Sequence, residues 1–327
     1  MDYIVPKKLT PGSHVRVIAP SRSLLLIGQE SRDNAWRTFT DTLGLRLSFG
    51  KRSEESNDSM SSSINSRIED LHEAFSDPNV DAIFTSIGGY NSNQLLPCID
   101  WELLASNPKI FCGYSDITVL QNAILAKAGL VTYSGPHYST LGQKKLDSYT
   151  LEYLQKCLYD EMPYLVKPSA EWTDDEWWMS QDERNPVQND GYWVLQQGVA
   201  EGTLVGGNLS SFALLHGTDY VPRPEKIVLF IEDDAESYLA LFDRQLEALL
   251  QQKYDIQGVV IGRFQKQSGI LKSELAALIA NKSQLRRVPV VANVDFGHTN
   301  PLITYPIGGS VQLEAGADTA TIRINRH

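Results

Sequence analysis

Residues 109–136 read KIFCGYSDITVLQNAILAKAGLVTYSGP: an apolar run ending in Gly-Tyr-Ser, a helical period over Ile117 to Ala128, and a second β-rich run after Gly129. Strand, helix and strand in that order form a parallel β-α-β unit. Working outward, the runs HVRVIAP, LRLSF and VDAIFTSIGG precede it as further strands, separated by helical segments at Glu30 to Leu43 and Ser66 to Ser76. Several of these strands run straight into Pro, Gly or Ser. In open α/β sheets that carboxyl edge is where ligands bind. The first half of the chain is therefore expected to be an α/β lobe with a parallel sheet covered by helices on both faces.

From about Asp160 to Gln197 no period of either kind is sustained, and EWTDDEWWMSQDERNPVQNDGYW gathers Trp172, Trp177, Trp178, Tyr192 and Trp193. Long loops inside compact domains are usually functional or disordered, and one holding these aromatics is not expected to be mere linker. Strand patterns return in EGTLVGG, KIVLFIE, IQGVVIG and VPVVANV, with helices near Tyr238 to Gln252 and Ile270 to Ala280 and a β-rich tail. With 327 residues, two lobes are expected. Their bounds are 1–165 for an N-terminal α/β lobe, 166–198 for the Trp-rich loop, and 199–327 for a smaller mixed C-terminal lobe.

The composition excludes several classes. Hydrophobic residues make up 42% and charged residues 21%, the profile of a folded globular chain. The formal net charge of -11, without a Lys/Arg cluster, disfavours nucleic acid as a partner. No window approaches the ~20 apolar residues that span a bilayer, and the run Val15 to Ala19 is too short for a signal-peptide core. The three cysteines are an odd number at wide spacings, which fits neither a disulfide framework nor zinc. A soluble cytoplasmic protein without metal or other cofactor is expected.

Candidate chemistry begins at Ser115. A serine between a strand and a helix is most often an N-cap; the rival reading is a nucleophile elbow. The Gly-x-Ser-x-Gly pattern is half met, by Gly113 and Ser115, because position 117 is Ile. A nucleophilic serine needs a base. His298, between Gly297 and Thr299 in VDFGHTNPLITYPIGG, lies in a turn-rich segment after a strand; His137 and His216 are weaker competitors. Glu232 closes the apolar strand KIVLFIE and could orient an imidazole, while Asp233, Asp234 and Glu236 beside it also suit the N-terminus of the next helix. Two glycine turns, SIGGYNSNQLL and LVGGNLSSF, lack the P-loop and dinucleotide fingerprints. Each serves either as a nest of N–H groups or as a tight turn.

In order and spacing, GGYNSNQLLPCIDWELLASNPKIFCGYSDITVLQNAI, VGGNLSSFALLHGT, VLFIEDDAES and DFGHTNPLITYPIGG resemble the serine peptidase family of LD-carboxypeptidases and microcin C self-immunity proteins. The resemblance runs from about Gly12 to the C-terminus. It implies a Ser-Glu-His triad of Ser115, Glu232 and His298, with an oxyanion hole from the backbone N–H groups of Gly89 and Asp116. It implies a flavodoxin-like N-terminal lobe, a smaller mixed C-terminal lobe, a site between them, and a homodimer. One branch of the family releases terminal D-alanine from murein tetrapeptide; the microcin branch cuts the amide between a peptide or amino acid and a modified nucleotide. Trp172, Trp177 and Trp178 offer faces on which a nucleobase stacks, so the microcin branch is preferred, with these residues and Asn208 as substrate contacts. The acidic run after Glu232 opposes a nucleotide phosphate. A non-catalytic small-molecule binding protein is the remaining alternative.

Overall fold

The computed structural model describes residues 3–327. Strands β1 (His14–Ile18), β2 (Arg46–Phe49), β3 (Ala82–Thr85), β4 (Ile110–Gly113) and β5 (Thr132–Ser134) are mutually parallel and lie in the order 2-1-3-4-5. This is the flavodoxin-like winding, which reverses between β1 and β3 and leaves a crevice at the carboxyl ends. β3 and β4 are buried at every position, as strands covered on both faces must be. Helices fall at Gln29–Arg37, extended by one π turn over Thr38–Thr42, and at Ile64–Ser76 and Thr118–Ala128. Ser148–Leu158, to which the sequence assigns no element, is also a helix, started by the Asp147 side chain accepting the Tyr149 N–H.

The aromatic excursion carries more structure than its sequence indicates. It supplies β6 (Tyr164–Val166), a small hairpin of β7 (Glu171–Trp172) and β8 (Val187–Gln188), and β9 (Trp193–Gln196). Strands this short give no period to read. β6 and β9 form the two edges of an eight-stranded sheet, which also contains β10 (Gly198–Asn208), β11 (Ile227–Glu232), β12 (Ile256–Gly262) and β13 (Val290–Val294) in parallel. β14 (Tyr305–Ile307) leaves this sheet and closes the first one, antiparallel to β5. β15 (Ser310–Ala315) and β16 (Ala320–Arg326) complete the second sheet, which is mixed.

The helix that follows Ser115 joins the lobes. Its residues Thr118–Leu125 are all buried. Asn122 donates to the Gly206 carbonyl at 2.8 Å and accepts the Gly206 N–H at 3.3 Å. A Cβ on Gly207 would lie 2.5 Å from Thr118 Oγ1, and both glycines have positive φ, +120° and +124°. The glycine pair of LVGGNLSSF therefore belongs to a strand and lets a helix pack against its backbone; it forms neither a nest nor a turn. Because Asn208 pairs in register with Glu232, this contact fixes the height of β11 relative to Ser115. Among the described residues, no helix is long and apolar enough to cross a membrane.

Candidate active site

β4 ends at Gly113, and the chain then turns sharply, placing Ser115 at φ +61°. The left-handed region costs a non-glycine residue about 1–2 kcal/mol, so the surrounding contacts must hold the turn in place. Bare Gly113 makes the turn possible: a Cβ there would stand 2.2 Å from Thr85 Oγ1 and 3.2 Å from Ile117 Cγ2. Ile117, which stands where the pattern has its second glycine, is fully buried. Ser115 begins a short 3-10 turn, but no side-chain cap bond forms at either Tyr114 or Ile117. The serine hydroxyl instead reaches 3.0 Å to Nε2 of His298.

His298 follows β13 in a loop whose Asp295 and Phe296 are buried. Gly297, at φ +104°, leaves room for Glu232, since a Cβ there would come within 2.6 Å of Glu232 Oε2. Glu232 ends β11, is buried, and bonds Nδ1 of His298 through Oε2 at 2.8 Å. With Nδ1–H donated to the carboxylate, Nε2 is free to accept the serine proton. Burial pulls the His298 pKa down, but the Glu232 charge and hydrogen bond, backed by Asp234 and Asp233, outweigh it and leave the pKa above 6.5. Burial, then the adjacent Glu232, push Asp233 up to about 6.

Two backbone segments face this series. A Cβ on Gly88 would stand 3.1 Å from Ser115 Oγ, so the GGY turn packs directly on the hydroxyl. Its neighbour Gly89 has no room for a side chain, with Ser21 Oγ only 2.2 Å from a Cβ built there. Asp116 offers an N–H at the start of the 3-10 turn, where such donors have no intrahelical partner. Its buried carboxylate faces the other way, accepting Ser21 Oγ at 2.6 Å and the Ser92 N–H at 2.9 Å. Asp116 thus ties the β1 loop and the GGY loop to the serine turn, a role its position in the sequence gives no sign of.

His137 sits closer to this site than the sequence indicates. It is buried, shares a 2.7 Å hydrogen bond with Thr85 through Nδ1, and stacks on Tyr114 at 4.3 Å. Its Nε2 has no partner among the described residues and lies 3.4 Å from a Cβ built on Gly88. Burial, then the nearby His298, lower its pKa to about 3, so it is neutral at physiological pH.

The three tryptophans are placed unequally. Trp172 lies beneath the Arg263 guanidinium at 5.0 Å and the Lys266 ammonium at 5.2 Å. Trp177 is 9% exposed, whereas Trp178, perpendicular to it, is 58% exposed. The hairpin that carries Trp172 is fastened to the His298 loop by two backbone bonds between Thr173 and Asn300, at 2.7 and 2.8 Å. Asn208 is buried and caps helix Leu209–Ala213, its carbonyl accepting from Ser211 and its amide facing Asp233. Among the described residues, no three His, Cys, Asp or Glu side chains are grouped to hold a metal ion.

Residues 15–135 match the LD-carboxypeptidase N-terminal domain and residues 201–313 the LD-carboxypeptidase C-terminal domain. The chain belongs to the LD-carboxypeptidase family of peptidases. It is 45% identical over 322 residues to YocD of Bacillus subtilis (strain 168), covering 98% of this chain and 99% of YocD. It superposes on an MccF-like protein from Bacillus anthracis with a TM-score of 0.96 and 44% identity, over 99% of this chain and 100% of the other. It also superposes on MccF in complex with glutamyl sulfamoyl guanosine, with a TM-score of 0.87 and 26% identity over 98% of each chain.

Proposed function

We propose that this protein is a serine-type amide hydrolase of the carboxypeptidase kind, with Ser115 as nucleophile, His298 as base and Glu232 as the carboxylate that orients it. The observation carrying this reading is the continuous series of 3.0 Å and 2.8 Å hydrogen bonds from a serine held in the left-handed region to a buried carboxylate. His298 takes the hydroxyl proton as Oγ attacks the scissile carbonyl, and Glu232 stabilises the imidazolium that forms. The N–H groups of Gly89 and Asp116 receive the oxyanion, each worth on the order of 3 kcal/mol in comparable enzymes. The imidazolium protonates the leaving nitrogen, and water then releases the acyl group.

The proposed substrate is an amide joining the carboxyl of an amino acid or peptide to a modified nucleotide. The likeness to MccF bound to glutamyl sulfamoyl guanosine supports it, as does the exposure of Trp178. A second reading, release of a terminal D-amino acid from an L,D-linked peptide, is favoured by the acidic Asp234 and Glu236 beside Glu232, which oppose a phosphate. A homodimer in the cytoplasm is part of the same proposal. Incubation with an aminoacyl sulfamoyl adenosine and, separately, an L,D-linked tetrapeptide, with products read by mass spectrometry, tests it. Free amino acid and sulfamoyl adenosine should appear with the intact protein and not with Ser115→Ala. Cleavage of the tetrapeptide alone favours the second reading, and cleavage of neither sinks the hydrolase assignment.

A further inference from the structure

Arg22 lies in the loop after β1, beside the GGY turn that packs on Ser115. Its N–H donates to the Gly88 carbonyl and its carbonyl accepts from Ser86 Oγ, both at 3.3 Å, so its backbone is clamped to the GGY turn. Its side chain passes directly over Gly89, where a Cβ would come within 2.9 Å of Arg22 Cγ. The guanidinium then lies 4.8 Å from the centre of the Tyr90 ring. Tyr90 is itself fixed, its hydroxyl donating to Glu236 at 3.1 Å from the other lobe.

Among the described residues of this lobe, Arg37 and Arg46 also lack a carboxylate partner, but they bond Asn34 and the Gly12 carbonyl; others are committed to ion pairs or buried acceptors. Arg16 pairs with Asp77, Arg32 with Glu54, and Arg52 with Asp70. Arg67 is spent on the Pro20 carbonyl, Asn91 and Gln94. Among the described residues, no carboxylate lies within ion-pair distance of Arg22. Arg22 is half-buried, and where a guanidinium is partly shielded from water and rests on a ring face without a counter-ion, an arriving anion gains more from it than from an exposed charge. Its planar fork suits the oxygens of a carboxylate, sulfamate or phosphoryl group. Resting on Tyr90 also reduces the ordering cost of binding.

We propose that Arg22 binds an anionic group carried on the leaving side of the scissile amide, one residue or less beyond the nitrogen. This rests on Ser115 being the attacking group. The reach required is short: a terminal carboxylate carbon lies about 4 Å from the scissile carbonyl carbon in an extended residue, and a guanidinium carbon sits about another 4 Å beyond it in a forked pair. Gly88 packs on Ser115 and its neighbour Gly89 lies under the Arg22 side chain, so two adjacent residues link the serine to the stem of the arginine. The terminal carboxylate of a peptide and the sulfamoyl or phosphoryl group of an aminoacyl nucleotide share this chemistry.

Binding to the inactive Ser115→Ala protein tests Arg22 independently of turnover. Calorimetric titrations of Ser115→Ala, Ser115→Ala/Arg22→Leu and Ser115→Ala/Arg22→Lys would use an N-acetyl dipeptide ending in D-alanine, its carboxamide, and an aminoacyl sulfamoyl adenosine. The leucine change should weaken whichever anionic probe binds by about 10- to 100-fold, the scale of a charged hydrogen-bonded contact. Lysine should restore part of the loss, and carboxamide binding should be equally weak in all three. The anionic probe that binds names the source. Anion affinity indifferent to Arg22, an equal loss on the carboxamide, or no binding of any probe overturns the proposal. Tight, Arg22-dependent binding by the Ser115→Ala protein, with no cleavage by the protein that keeps Ser115, would instead sink the hydrolase reading and leave the anion site standing.

Discussion

Ser115 Oγ lies 3.0 Å from Nε2 of His298, although 183 positions separate them in the chain. One residue sits at the carboxyl end of the first sheet and the other beyond the carboxyl end of β13 in the second. Their meeting depends on the buried helix Thr118–Ala128 docking against Gly206 and Gly207. The site is therefore a property of the joint between lobes.

If Ser115 is the nucleophile, Ser115→Ala should lower kcat by about 10⁴ or more without altering the fold. Ser115→Gly should be equally inactive and yet more stable than the alanine variant by about 1 kcal/mol, because glycine occupies φ +61° without steric cost. Thermal denaturation of the two variants compares them directly. Equal stability would remove the argument that the turn is strained.

Glu232 raises the His298 pKa, and the sign of the consequence is fixed. Catalysis needs the neutral imidazole, so the acid limb of kcat/KM should lie above 6.5, the ordinary imidazole value. Glu232→Gln should move that limb to lower pH while kcat falls by about 10³ to 10⁴. The pair also stabilises the fold fully below 6.5 and loses that contribution as pH rises through the higher folded value. The glutamine variant should lack this dependence. An unshifted limb would place the base elsewhere.

Gly88→Ala inserts a methyl group 3.0 Å from Ser115 Cβ and 3.1 Å from its Oγ. No positive φ is demanded there, so the backbone tolerates the change and the hydroxyl must give way. Turnover should fall at least about tenfold, with a melting temperature near that of the parent. A large loss of stability with normal turnover would show that the turn is structural only.

Trp178 and Trp177 should separate cleanly. Trp178→Ala should weaken a nucleotide-linked substrate by about 1–3 kcal/mol, the scale of base stacking, with the fold unchanged. Trp177→Ala empties a buried position and should cost about 3 kcal/mol of stability. Indifference of KM to Trp178→Ala would remove the aromatic argument for a nucleotide.

The parallel lobe was legible because its strands are continuous apolar runs with turn formers at their ends, and β3 and β4 are buried throughout. β6 and β9 were not, since edge strands of three and four residues leave no period. Ser115, Glu232 and His298 stood out as polar residues at the ends of such runs. The Asp116 carboxylate, the neutral His137 and the unpaired Arg22 gave no comparable signal. Their significance lies in what surrounds them, and that is set by contacts between segments far apart in the chain. Gly206 and Gly207 were visible as a pair, but only the helix packed on them explains why neither can carry a side chain.

The most direct test is covalent labelling with a fluorophosphonate followed by peptide mapping. One adduct is expected, on Ser115, absent from Ser115→Ala and formed much more slowly in His298→Ala. Hydrolysis of a proven substrate by a protein that labels elsewhere, or labelling undiminished in Ser115→Ala, would contradict it.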